Sequence, residues 1–145
     1  MGKILLGFAM VLFIAHARAG SVEVLGGDAT NRLQLPFSEA VAVGELLFIS
    51  GQIGSKPGEL TLVEGGIQAE TRQAMANIIA ILEKHGSGVE KIAKCTIFLG
   101  DMKEWGEMNI AYIEALGDHR PARSALGASG LALNARVEIE CIGAR

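Results

Sequence analysis

The sequence predicts an α+β domain in which one sheet is backed on a single face by two helices. Strand-like apolar runs and helix-period runs follow one another in the order β-β-α-β-α-β-β. Helical periodicity occurs only twice, enough for one layer of helices, so the second face of the sheet must find another partner. Self-association through that face is the physical expectation. Ile49, Ile53, Ile97 and Ile139 are read among the apolar residues it carries.

The elements follow in order. Residues 38–43 and 46–50 alternate or run apolar around Gly44-Glu45, which reads as a hairpin. Gly54-Ser55-Lys56-Pro57-Gly58 is a loop. From Gln68 to His85 the apolar residues Met75, Ile78, Ile79 and Leu82 recur at helical spacing, and Gly86 supplies the stop. Residues 92–99 read as a strand that ends at Gly100. Asp101 can cap a second helix, with Trp105, Met108, Tyr112 and Leu116 as its inner face. Strands near residues 122–126 and 136–142 complete the domain.

Residues 1–19 have a different character. Lys3 gives a positive start, residues 4–15 a short apolar core, and Ala17-Arg18-Ala19 a small-x-small cleavage pattern. This is the build of a secretory signal peptide, too short to span a bilayer comfortably. The chain is therefore read as a cleaved signal at 1–19 and one domain at 20–145, periplasmic or secreted. Loss of Lys3 and Arg18 removes two positive charges and takes the formal net charge from −3 to −5. An acidic, aromatic-poor chain without a basic run suits neither a phosphate backbone nor a nuclease acting on one. A domain of this length buries roughly two-thirds of its unfolded surface and needs no metal or disulfide to fold. Cys95 and Cys141 sit in strand-like apolar runs, and export would permit a bond between them. Buried free thiols are nonetheless the expectation, because sequence alone does not make the two neighbours. No Cys/His cluster has metal-ligand spacing, so neither a metal nor a cofactor is expected.

Chemistry concentrates near the C-terminus. Arg120-Pro121-Ala122-Arg123-Ser124-Ala125 opens one strand, and Ala135-Arg136-Val137-Glu138-Ile139-Glu140 opens the next. A β-ribbon can hold a guanidinium and a carboxylate on one wall. The guanidinium grips a substrate carboxylate by a planar fork, and the carboxylate steers a water.

Several motifs resemble the RidA (YjgF) family. They are Ser50-Gly51-Gln52-Ile53, Glu70-Thr71-Arg72-Gln73-Ala74-Met75-Ala76-Asn77, Pro121-Ala122-Arg123-Ser124 and Val137-Glu138-Ile139-Glu140. The resemblance runs from about Leu35 to Ala144. It implies a chorismate-mutase-like fold, a homotrimer with ligand sites between subunits, and no cofactor. The implied activity is hydrolysis of 2-imino acids and their enamine tautomers, such as 2-iminopropanoate or 2-iminobutanoate, to 2-oxo acids and ammonia. Arg123 matches the substrate-binding arginine and Glu138 the acidic residue that orients or deprotonates water. Ser50 and Gly51 fall where the family lines its cleft, Ala125 where backbone groups meet the ligand, and Asn109 and Tyr112 at cleft positions on the second helix. Two departures stand out: Phe37 follows Pro36 where many members have a tyrosine, and Ala125 replaces a cysteine found in the best-characterised branch.

Each residue also has a plainer reading. Arg123 can be an ordinary ion-pair partner at a strand end. Alternation puts Glu138 and Glu140 on one face, opposite Val137, Ile139 and Cys141, so either can be solvated or paired with Arg136. Tyr112 is core-like by its spacing from Met108. Ser50 can bond its own backbone, and His119 reads as an exposed loop histidine. A module that binds small carboxylates without turnover, or a chaperone-like protein using exposed apolar surface, stays open beside the deaminase.

Overall fold

In the computed structural model residues 20–145 are described; residues 1–19, and the signal peptide assigned to them, lie outside the described residues. Alternating side chains build six strands into one sheet in the order β1-β2-β3-β6-β4-β5. They are β1 (Val22–Leu25), β2 (Ala40–Val43), β3 (Leu46–Ile53), β4 (Ile92–Leu99), β5 (Ala122–Gly127) and β6 (Val137–Ala144). Neighbours are antiparallel except β4 and β5, which are parallel. The helix α3 (Trp105–Leu116) makes the crossover that parallel pairing requires. Val43 faces Leu46 across a two-residue turn with Gly44 at φ 58°, a tight hairpin where the sequence placed it. Two short elements, β1 and α1 (Asp28–Arg32), were not foreseen. Neither has enough residues to display a period.

The long helix α2 (Gly66–Lys84) and α3 cover one face of the sheet. Ala74, Met75, Ile78 and Leu82 of α2, with Met108, Tyr112 and Leu116 of α3, pack on the sheet's inner side chains. Those side chains include Ile49, Ile97 and Ile139, all buried under the helices. This corrects their assignment to the uncovered face. Alternation tells which residues share a face, but only the packed helices decide which face is covered. Ile53 is half-buried, beyond a register shift between Ile49 and Gln52. The face left open carries Val41, Val43, Leu46, Phe48 and Ile142, joined at its edge by Val22 and Val24. Leu46 is 44% exposed and Phe48 40%, so the unpartnered apolar face is real although its residues differ from those expected.

Trp105 is a second correction. It is 42% exposed, and the buried stripe of α3 is Met108, Ala111, Tyr112 and Leu116. Its ring turns aside to lie beneath the Arg123 guanidinium, 5.7 Å from the ring centre. Asp101 does cap, but it caps the 3-10 turn before α3, accepting the Lys103 N–H at 2.9 Å.

The cysteines are a third. Antiparallel register sets Cys95 of β4 opposite Cys141 of β6, Cα–Cα 4.1 Å, the closer of the two cross-strand spacings. Their sulfurs are bonded, so the expected free thiols are a disulfide at the middle of the sheet.

The end of β3 meets α2 closely. A Cβ on Gly54 would lie 2.6 Å from the Glu70 Cα, so only glycine lets the two backbones approach. Glu70 is buried, and its carboxylate accepts the Arg136 N–H at 2.8 Å, two residues before Glu138. Asn77 donates to the Ser55 carbonyl at 2.9 Å and so ties down the loop after β3. No helix among the described residues is long and apolar enough to cross a membrane.

Candidate functional site

Arg123 lies on β5 opposite Cys95 of β4, so its side chain takes the helix-covered side at the sheet's edge. There it donates from Nη1 to Asn109 Oδ1 at 2.6 Å and lies over the Tyr112 ring at 5.2 Å, with Trp105 on another side. Two aromatic faces and one amide hold the guanidinium without neutralising it. Among the described residues it has no carboxylate partner, which removes the plain ion-pair reading. Asn109, Tyr112 and Arg123 line a cleft of about 260 Å³, with Ile113, Leu116, Arg120 and Pro121. Ala125 follows on the same side of β5, packed against the core. Tyr112 is both core and cleft. Burial raises its phenol pKa and Arg123 offsets part of that, so it stays protonated at neutral pH; among the described residues its hydroxyl has no hydrogen-bond partner.

Glu138 belongs to a different cluster. It faces Phe98 of β4 on the open side, while Val137, Ile139 and Cys141 point to the helices. Gly51 of β3 sits against it: a Cβ there would fall 2.0 Å from Glu138 Oε1, so the missing side chain makes room for the carboxylate. Ser50, beside Gly51, donates its hydroxyl to the Ser38 carbonyl at 2.7 Å, a bond to a distant segment and not to its own backbone as the plainer reading had it. That bond fixes the strand entry next to Phe37, which is half-exposed.

The two clusters do not share a wall. From Arg123 to Glu138 is three residues along the strands and two strands across, about 10 Å in each direction. They also occupy opposite faces. The single wall expected from the sequence therefore does not exist within one chain. No small ligand can touch both groups unless a second copy supplies one of them.

Burial pushes the Glu138 carboxyl above its ordinary value of 4.5, and the charge of Glu140 adds to the rise. Glu140 itself is exposed. Arg136 pairs with neither; it engages Glu104 and the backbone-anchoring Glu70. A raised carboxyl pKa means the folded chain holds the proton more tightly than the unfolded one. That contribution is complete below the ordinary value and is lost as pH rises through the folded one. In the chain on its own, Glu138→Gln should raise the urea midpoint at pH 7 and leave it unchanged near pH 4. A lower midpoint at pH 7 would contradict the burial that causes the shift.

His119 is not a free loop histidine; its Nε2 donates to the Ile92 carbonyl at 2.7 Å. Sequence reading passed over Trp105 as a guanidinium support and Arg120 as a lining residue. The Arg-Pro pair beside the motif was visible, but nothing in it showed which side Arg120 faces.

The sequence model of the family described as endoribonuclease L-PSP matches residues 29–145. The chain belongs to this family, the RidA/YjgF/RutC family. Its RidA-family relatives include a RutC family protein of Pyrococcus horikoshii, 41% identical over 74% of this chain and 85% of the relative. Another is the 2-iminobutanoate/2-iminopropanoate deaminase of Mus musculus, 38% identical over 74% and 79%. Among solved structures, the Rid-family protein YyfA of Yersinia pestis superposes with a TM-score of 0.79 at 33% identity, covering 86% of this chain and 100% of that one. RidA of a Psychrobacter species gives 0.72 at 34%, over 76% and 89%. The α+β RidA-like fold is thus established from sequence and from shape.

Proposed function

We propose that the protein hydrolyses 2-imino acids and their enamine tautomers to 2-oxo acids and ammonia, without a cofactor. The observation that carries this reading is the Arg123 guanidinium, braced by Asn109, Tyr112 and Trp105 yet paired with no carboxylate among the described residues. It is a pre-organised seat for a substrate carboxylate. With the carboxylate forked, the C=N carbon has a fixed position. A water oxygen bonds to that carbon as one of its protons passes to nitrogen, giving a carbinolamine; the hydroxyl proton then passes to the same nitrogen, the C=O bond forms as the C–N bond breaks, and ammonia leaves. Glu138 is the group to orient that water and take its proton, since a carboxyl with a raised pKa can accept and return protons nearer neutrality. Relatives named as 2-iminobutanoate/2-iminopropanoate deaminases support the reaction class.

The site belongs to an assembly in this reading, with Arg123 of one copy meeting Glu138, Gly51 and Ser50 of the next. A homotrimer with inter-subunit clefts is supported by the opposite-face placement and the exposed apolar sheet. Carboxylate binding without turnover is the second reading, favoured by Phe37, which offers no hydroxyl to the ligand. An amino-acid oxidase generating 2-imino acids beside the protein separates the two. Faster ammonia release than in buffer supports hydrolysis; a rate equal to buffer with retained 2-oxo acid binding supports the second reading.

Export is part of the proposal. The Cys95–Cys141 disulfide suits an oxidising compartment, and the charge pattern of residues 1–19 suits a cleaved signal. N-terminal sequencing of protein from the periplasm or medium should begin at or near Gly20. A chain that begins at Met1 refutes cleavage.

A further inference from the structure

The cleft that holds Arg123 has a second cation. Arg120 lines it too, and no carboxylate is among the lining residues. Arg120 enters no ion pair among the described residues, although the chain as a whole is acidic. Its Nη1 donates to the Gly117 and His119 carbonyls at 2.5 and 2.7 Å, which pins the side chain to the turn after α3. The fork's other donors stay uncommitted. Three residues of chain set Arg120 and Arg123 at most about 10 Å apart, and Arg120 precedes β5, outside the alternation that would turn it to the other face. A C4 or C5 dicarboxylate laid along the cleft wall can reach from the open part of the Arg123 fork to the Arg120 donors that the turn leaves uncommitted. The wall between them, Ile113, Leu116 and Pro121, is apolar and suits a short methylene chain.

From this geometry we infer that Arg120 determines specificity. It selects ligands with a second carboxylate on the side chain, so that the preferred substrates are the imines of acidic amino acids rather than of small neutral ones. The inference rests on the deaminase reading for turnover, but its recognition step is testable without turnover. Two forked carboxylates hold a dicarboxylate where a neutral side chain earns only apolar contact, and a charge-assisted hydrogen bond accounts for at least tenfold in affinity.

The experiment is calorimetric titration of the full chain with 2-oxoglutarate and, separately, 2-oxobutanoate, for wild type, Arg120→Gln and Arg120→Lys. Wild type should bind 2-oxoglutarate at least tenfold more tightly. Arg120→Gln should remove that preference, and Arg120→Lys should restore part of it. Equal affinity for the two acids in wild type, or a preference that survives in Arg120→Gln, overturns the inference. A dicarboxylate preference in a protein that releases no ammonia in the oxidase assay leaves the inference standing and removes the deaminase reading instead.

Discussion

Arg123→Ala should lower kcat/KM for 2-imino acid hydrolysis by roughly 10²- to 10³-fold, the expected result of removing a braced guanidinium from a bound carboxylate. The size follows from what surrounds it. Among the described residues Arg123 pairs with no carboxylate; its Nη1 already donates to Asn109 Oδ1, and the rest of the fork is open to a ligand. Arg123→Lys is the sharper variant because it keeps the charge and loses both the planar fork and the stacking on Tyr112 and Trp105. It should fall between, about tenfold or more below wild type, with most of the loss in KM. A surface arginine of no consequence would leave both variants within about twofold of wild type. Oxidase-coupled kinetics across a substrate range reads the difference, and such an outcome would sink Arg123 as the anchor.

Reduction of Cys95–Cys141 should cost about 4 kcal/mol of stability. The bond closes a 46-residue separation, and loop-closure entropy for that length gives this figure. For a domain of this size the melting temperature should drop by roughly 10 °C or more. Both sulfurs are buried between central strands, so reduction should be slow in the folded protein and fast once it unfolds. Thermal unfolding with and without a thiol reductant tests this, with Cys95→Ala/Cys141→Ala as the variant whose melting ignores the reductant. Two free thiols titrating in denatured, unreduced protein would show that no bond forms. The loss would reach the site, because Asn109, Tyr112, Arg123, Ala125 and Glu138 all lie between the two cysteines in sequence.

Much of this fold was legible because its signals are local. Met75, Ile78 and Leu82 announce α2 by spacing alone, and Gly44 announces its turn by the φ it can adopt. The misread residues all depend on distant partners. Cys95 and Cys141 become neighbours only through the register of strands 46 residues apart. Ile97 and Ile139 were assigned to the wrong face because alternation fixes phase and not which phase the helices cover. Trp105 kept helical spacing yet turned outward to Arg123, a contact made across the crossover. The site followed the same rule. Arg123 and Glu138 stand out in the sequence as candidates, but their placement on opposite faces depends on two pairings, β5 with β4 and β4 with β6.

That opposition has a consequence for where such a protein could work. If Arg123 of one copy works with Glu138 of the next, as proposed, the two halves of the catalyst are subject to mass action, and dilution that separates the copies disarms it. Inside a confined compartment the copies meet often and the halves stay joined. Released into an open volume, the chains would keep their disulfide while the chemistry faded with distance from its source. Activity would then be tied to crowding, a spatial limit set by nothing more than which way two side chains point from one sheet.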